Sequence, residues 1–428
     1  MPVMFVANRS QVHRRRTRGR APNSSRCRIS PFLQREETAP RFLTPRSMPR
    51  DRRHAQTEPT PIHDEGYDVR AVLKTEPAPG FDLVTDHPEP ELGRGQVRIE
   101  VGAVSVCGTD RETFDYGPAV RDLGLRLPVV TGHECAGTVV EVAPDVERFR
   151  VGDRVAVETH VACLECFQCV RGNAHNCLRM DLLGLTIDGA FAEQVVLPAS
   201  TCFRLPDELS LEAAALLEPA GSAMHAVQRS GMSLDGAHVL VSGAGPIGLA
   251  ALQIARAKGA EVLVVEPNPH RGAMAESLGA TLVNSGEGLV DRVRDLTGAA
   301  GGVDLVLECS GAMPALEAAL EVTRREGTVM SIGLTNRALE VSATRHLISR
   351  GLTLKGSFGR RIWDSWTELT ALVASGGVDL DSLISHRLEL EEVDTAIELL
   401  TGNACKVVLY PQGVPAHRHL PEGALSAR

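Results

Sequence analysis

Residues 239–266 read VLVSGAGPIGLAALQIARAKGAEVLVVE, and the rest of the 428-residue chain can be placed around them. The apolar run 238–241 has strand length. Gly243, Gly245 and Gly248 follow with the spacing G-x-G-x-x-G, with Pro246 between the last two. From Ile247 to Ala257 apolar residues recur at helical period without a breaker, and Gly259 closes that helix. Residues 262–265 form a second β-branched strand that ends in Glu266. The order is strand, glycine turn, helix, strand, acid. Glycines there permit a tight turn and let the backbone approach a pyrophosphate seated on the helix N-terminus. Glu266 lies 23 positions after Gly243, where a carboxylate can accept hydrogen bonds from ribose hydroxyls. The pattern predicts a dinucleotide site. NAD is favoured because Glu266 would repel a 2′-phosphate; Arg271 nearby keeps NADP as the alternative.

The composition, 43% hydrophobic and 23% charged, is that of a soluble globular protein. No apolar run approaches the ~18 residues of a membrane span. The net charge of −9 is unevenly spread. Residues 1–69 carry 14 Arg against 7 acids, so the remainder carries −16. Residues 1–68 lack apolar periodicity and read as a disordered Arg-rich extension with no part in the fold. A nucleic-acid arm and a transit peptide are its alternatives. The acidic remainder predicts no nucleic-acid partner.

Outward from the glycine turn, residues 69–218 read as short strands separated by Gly, Pro and Asp turns, a barrel-like all-β region. Residues 219–355 alternate strands and helices, a doubly wound parallel sheet. Residues 356–428 hold a helix near 364–374, a strand near His386, a helix near 393–400 and a last strand at 406–409. This tail is expected to return to the first domain. The fold class is α/β.

Ten cysteines are present, four of them clustered, which is a metal pattern suited to a reducing cytoplasm. Cys163, Cys166, Cys169 and Cys177 have the spacing C-x2-C-x2-C-x7-C. Four thiolates so close together can close a tetrahedral zinc site within one loop. A nucleic-acid-binding ribbon would need more basic or aromatic neighbours than Arg171 and Arg179 provide. A second set is dispersed: Cys107-Gly108-Thr109-Asp110 after one strand, Gly132-His133-Glu134 after another, and Glu218-Pro219 at the end of the β-rich region. Thiolate, imidazole and carboxylate from separate loops fit a catalytic zinc with one open position. Taken singly, each also reads as a packed core residue.

Together, Cys107-Gly-Thr-Asp, Gly132-His-Glu, the four-cysteine loop, Glu218-Pro219 and the glycine turn resemble the zinc-dependent medium-chain dehydrogenases over residues 69–412. That resemblance implies a GroES-like β-barrel catalytic domain, a Rossmann domain and an intervening cleft. Within the family the chain is most similar to L-threonine 3-dehydrogenases, through the run Glu158-Thr-His160 to Cys163, residues 189–193 read as a strand, residues 354–360 with Trp366, and Ser385-His386-Arg387. It implies Cys107, His133 and Glu134 as zinc ligands, with Glu218 a nearby carboxylate that coordinates or serves a proton relay. It implies that Thr109 bonds the substrate oxygen and passes its proton outward. Ile247, Glu266 and Arg271 would touch the dinucleotide, with Ile332, Gly333, Leu334, Ser357 and Phe358 near the nicotinamide. The expected activity is oxidation of a secondary alcohol, L-threonine-like, polyol, sugar or aminocyclitol, by a homodimer or homotetramer. Glu112 departs from the pattern, since threonine dehydrogenases carry histidine there. The run Cys-Gly-Thr-Asp-Arg-Glu also resembles zinc-dependent glucose dehydrogenases, so an aldose 1-dehydrogenase is an alternative. A non-catalytic zinc-binding protein is another.

Overall fold

A computed structural model describes residues 68–415 apart from Asn336. The Arg-rich extension, but for its last residue, lies outside the described residues.

The central run forms the middle of a six-stranded parallel sheet. Its spatial order is Thr281–Leu282, Glu261–Val265, His238–Ser242, Val303–Glu308, Thr323–Ser331, Thr353–Gly356. The sheet is built from both faces. Val239, Val241, Val262, Val264, Leu305 and Leu307 pack into one apolar cluster. The alternating Leu240, Leu263, Val265, Val303 and Val306 pack into another. Period-2 alternation sends neighbours to opposite sides, and continuous apolar runs are what a sheet covered on both faces requires. Helix Pro246–Ala257 starts on Gly245, with Pro246 where no helical N–H is needed.

The other half is a seven-stranded sheet. Its order is Cys202–Arg204, Arg154–Val157, Glu134–Val142, Gln96–Val106, Lys406–Tyr410, Ile384–Glu389, with Gln194–Pro198 also paired to Gln96–Val106. A smaller sheet joins Asp82–Pro88, Asp68–Lys74 and Val129–Val130. Lys406–Tyr410, from the far end of the chain, lies antiparallel to Gln96–Val106, with Val407 opposite Val106 and Leu409 opposite Val104.

Three local readings change. The β-rich half also contains helices Gly108–Phe114, Pro118–Asp122 and Leu211–Ala215. Glu218 does not end a β region; it sits in the first turn of helix Leu217–Ser230, where Pro219 is tolerated because first-turn N–H groups lack helical partners. Residues 189–193 are not a regular strand. Their N–H groups go to Val130, Gly132, Thr131 and Arg70 carbonyls. A Cβ on Gly189 would lie 2.3 Å from the Gly132 carbonyl oxygen, so the segment is pressed across that turn instead of extending a ladder.

Candidate active site

Cys107 ends strand Gln96–Val106 and caps helix Gly108–Phe114. Asp110 closes the cap, its Oδ2 accepting from the Cys107 N–H at 2.8 Å. Its Oδ1 lies 3.3 Å from His133 Nδ1, which leaves the other ring nitrogen to face a ligand. Burial disfavours the charged imidazole, but Asp110 and then Cys107 outweigh it and raise the His133 pKa well above the ordinary value. His133 reaches this position through Gly132, whose φ of +84° few other residues adopt.

Glu134 opens strand Glu134–Val142 opposite Ser105 and is fully buried. Its Oε2 accepts from Ser105 Oγ and from Lys406 Nζ. Its Oε1 is buried without a hydrogen-bond partner. Burial works against the Lys406 charge, but Glu134 and Cys107 more than compensate and raise its pKa. The ligand atoms of Cys107, His133 and Glu134 all lie within 4.8 Å of one another. A half-buried thiolate beside a buried imidazole and a buried carboxylate with one orphaned oxygen fits a zinc ion.

Glu218 is outside that triplet. Its Oε1 accepts from Thr159 Oγ1 at 2.8 Å and from Arg360 Nη2. Arg360 is 2% exposed and also lies 3.3 Å from Glu158 Oε1, which accepts from His160 N–H at 3.0 Å and lies 2.7 Å from His160 Nδ1. Burial is the largest effect and raises both carboxyl pKa values, but Arg360 together with His160 at Glu158, and with His133 and the Thr159 hydrogen bond at Glu218, leaves each below the usual range. Thr109 stands half-buried in the first turn after Cys107. Glu112 is exposed one turn on and folds over Gly117, where an added Cβ would meet its Oε2 at 2.0 Å. The structure does not bring it into the cluster.

The four-cysteine loop also assembles. Its sulfur atoms lie within 4.8 Å of one another. Backbone N–H groups of Cys163 and Arg179 approach Cys177 Sγ at 3.3 Å, and that of Leu178 approaches Cys166 Sγ at 3.4 Å. The Arg179 guanidinium lies 3.4 Å from Cys163 Sγ and is first among the causes that draw that thiol down to about 6. Closely gathered thiols that receive several N–H donors suit a tetrathiolate metal.

At the glycine turn the three glycines have different reasons. Gly243 has φ +91°. A Cβ on Gly248 would lie 1.9 Å from the Gly243 carbonyl oxygen. Gly245 has ordinary dihedrals, φ −73° and ψ −178°, and an added Cβ would meet nothing within 4 Å. Among the described residues nothing requires glycine there, so the space in front of it is explained by a ligand lying against the backbone. Glu266 Oε2 accepts from Ala244 N–H at 2.7 Å, Oε1 accepts from Asn268 N–H at 2.8 Å, and Arg271 lies 3.2 Å away. Glu266, Arg271, Gly243 and Ser310 border a cavity of about 550 Å³, large enough for a nucleoside. Ile332, Gly333, Leu334, Ser357 and Phe358 line a separate cavity of about 410 Å³ with His175 and His225.

Asp110 and Ser105 carry no signal as site residues in the sequence. Arg360, Glu158 and His160 appear there only inside longer runs. Lys406 had the clearest clue, a cation at the head of the apolar 407–409.

An alcohol dehydrogenase GroES-like domain matches residues 93–207, and a zinc-binding dehydrogenase domain matches residues 246–375. L-threonine 3-dehydrogenase of Pyrococcus abyssi is 39% identical over 344 residues, 79% of this chain and 97% of its own. A zinc-binding dehydrogenase of Sinorhizobium meliloti bound to NADP superposes with a TM-score of 0.71 at 29% identity, covering 80% of this chain and 99% of its own. An alcohol dehydrogenase of Escherichia coli complexed with NADH gives a TM-score of 0.72 at 25% identity, covering 81% and 100%. With the GroES-like half, the parallel sheet and both cysteine-bearing clusters in place, the chain belongs to the zinc-dependent medium-chain dehydrogenases and is an alcohol oxidoreductase.

Proposed function

We propose that this protein oxidises a secondary alcohol to a ketone with NAD, on an L-threonine-like, polyol, sugar or aminocyclitol substrate. The observation that carries the reading is the Cys107–His133–Glu134 triplet, its imidazole and carboxylate buried and its thiol half-buried, with an orphaned carboxylate oxygen, together with the unobstructed backbone at Gly245. Cys107, His133 and Glu134 hold the catalytic zinc, and Cys163, Cys166, Cys169 and Cys177 hold a structural one. When bound, zinc supplies Lewis acidity toward the alcohol oxygen and the nicotinamide supplies a hydride acceptor. Glu134 is preferred to Glu218 as the resting ligand because Glu218 is engaged by Thr159 and Arg360. Asp110 fixes the His133 tautomer, and Lys406 with Ser105 aims Glu134. Thr109, two residues after Cys107, receives the alcohol proton and passes it outward.

NAD is preferred to NADP because Glu266 is anchored by two backbone N–H groups and cannot readily yield to a 2′-phosphate. Among the described residues no helix is long and apolar enough to cross a membrane. We place the enzyme in the cytoplasm as a homodimer or homotetramer. The aldose 1-dehydrogenase reading rests on Glu112, whose exposed carboxylate could bind sugar hydroxyls.

The test is NAD reduction across L-threonine, polyols, aldoses and aminocyclitols, with and without chelator. Chelator-sensitive NADH formation with at least one of them is expected. Silence across the panel, from protein that binds NADH and contains zinc, would overturn the reading and favour a non-catalytic zinc protein.

A further inference from the structure

The 410 Å³ cavity is lined by two classes of residue. One wall is formed by Ile332–Leu334 and Ser357–Phe358, the segments assigned to the nicotinamide side. The rest of the lining includes His175, Asn176, His225 and Arg229, for which a cofactor gives no reason. Oxidised nicotinamide is a cation, and a guanidinium beside it is repulsive unless an anion lies between them.

Two buried polar atoms on these walls have no hydrogen-bond partner, His175 Nδ1 and Ser357 Oγ. His175 is only 3% exposed, so its orphaned nitrogen is a real cost unless a ligand meets it. Arg229 Nε donates to the Gly356 carbonyl at 2.7 Å, which holds the side chain at the rim. Among the described residues no carboxylate pairs with it. The chain is acidic overall, at −9, yet among the described residues no Asp or Glu lines this cavity. Arg229 sits in the last turn of helix Leu217–Ser230, where free carbonyls would repel an anion. Those carbonyls are occupied: Lys355 Nζ is 3.2 Å from the oxygen of Arg229 and 3.0 Å from that of Ser230.

We propose that this cavity is an oxyanion subsite, which takes a phosphate or carboxylate borne by the alcohol substrate at a distance from the reacting hydroxyl. The inference deepens the proposed function and rests on it. The distance follows from the helix that spans both places. Glu218 and His225 are seven residues apart, about 10 Å at 1.5 Å per residue. Glu218 shares Arg360 with Glu158, and the Gly359 carbonyl next to Arg360 lies 3.1 Å from His225 Nδ1. The cavity is therefore one segment removed from the carboxylate cluster. The carboxylate of threonine lies only two carbons from the reacting one. A polyol phosphate or a long-chain hydroxy acid, with the charge several carbons away, fits.

The experiment compares kcat/KM for matched alcohols with NAD: a hexitol, its 1-phosphate, and the corresponding aldonate. The wild type should favour an anionic member over the neutral one by at least tenfold, and the favoured member identifies the oxyanion. Arg229→Gln should lower that ratio at least fivefold, and Arg229→Lys should restore much of it. Inorganic phosphate should inhibit competitively against the alcohol and not against NAD. Equal use of neutral and anionic alcohols, an unchanged ratio in Arg229→Gln, or phosphate competition against NAD alone would each overturn the subsite. If no alcohol is oxidised, the proposed function fails separately. Calorimetric titration of inorganic phosphate into the NAD-loaded wild type and Arg229→Gln then decides, since equal affinity or no binding to either overturns it.

Discussion

Gly245 and Gly248 stand three residues apart in one turn, yet substitution should damage different properties. At Gly248 an alanine Cβ would sit 1.9 Å from the Gly243 carbonyl oxygen, a backbone atom that cannot swing away. Overpacking of this kind costs about 1–3 kcal/mol. At Gly245 the Cβ enters open space from an ordinary φ of −73°. Alanine is a poorer N-cap than glycine by roughly 0.5–1 kcal/mol, but it restricts the unfolded chain by about 0.4–1 kcal/mol. The two nearly cancel, so Gly245→Ala should shift Tm by no more than about 4 °C. Its effect belongs to the ligand. A Cβ in the path of the pyrophosphate displaces at least one N–H bond to a charged oxygen, worth about 1.5–3 kcal/mol, or roughly ten- to hundredfold in NADH Kd. The assay is paired thermal unfolding and NADH fluorescence titration. Gly248→Ala should lower Tm; Gly245→Ala should keep Tm and lose NADH. If Gly245→Ala binds NADH as tightly as the wild type, the space before Gly245 is not the cofactor's path and the glycine argument fails.

Arg360→Met leaves Glu158 and Glu218 buried without their cation, a loss of about 3–5 kcal/mol at pH 7. In the wild type both carboxyl pKa values lie below their unfolded values, so their contribution is present above about pH 4.5 and fades as pH falls through the folded values. Without Arg360 burial raises them instead, so the deficit against wild type in urea unfolding should shrink from pH 7 to pH 5; a constant gap would refute the pairing. Cys107→Ala should abolish turnover and leave one zinc per folded subunit by metal analysis, whereas Cys166→Ala should impair folding. Equal and mild effects from both would refute two metal sites. Glu266→Ser should move the NAD:NADP ratio of kcat/KM at least tenfold toward NADP, and an unchanged ratio would remove Glu266 from cofactor choice.

The legible parts of this protein are those whose physics is local in sequence. The parallel sheet shows because strands buried on both faces read as apolar runs at 239–241, 262–265 and 305–307. The four-cysteine loop shows because its donors come from 15 consecutive residues, 163–177. The barrel half was less legible. Its helix after Cys107 is seven residues long, too short to display a period, and it is held by the Asp110 cap.

Long-range pairing is where sequence reading fails, and this bears on how the site works. Glu134 and Lys406 are 272 positions apart, and Glu218 and Arg360 are 142 apart. Nothing in either flanking sequence specifies the other partner. A lone buried carboxylate would raise its own pKa and take up a proton rather than stay charged. Arg360, with His160 beside Glu158 and His133 beside Glu218, keeps the folded-state pKa values of Glu158 and Glu218 low. Lys406 comes from the last strand of the catalytic sheet and Arg360 from the segment after Thr353–Gly356, the edge strand of the nucleotide-binding sheet. The charge state of the carboxylate cluster is thus set by both halves of the molecule at once. Any movement of the 357–360 segment when a ligand enters must be felt at Glu218. That coupling ties the 410 Å³ cavity, whose wall includes Ser357 and Phe358, to the carboxylates through Arg360, beside the helix Leu217–Ser230 that carries Glu218 and the cavity residues His225 and Arg229.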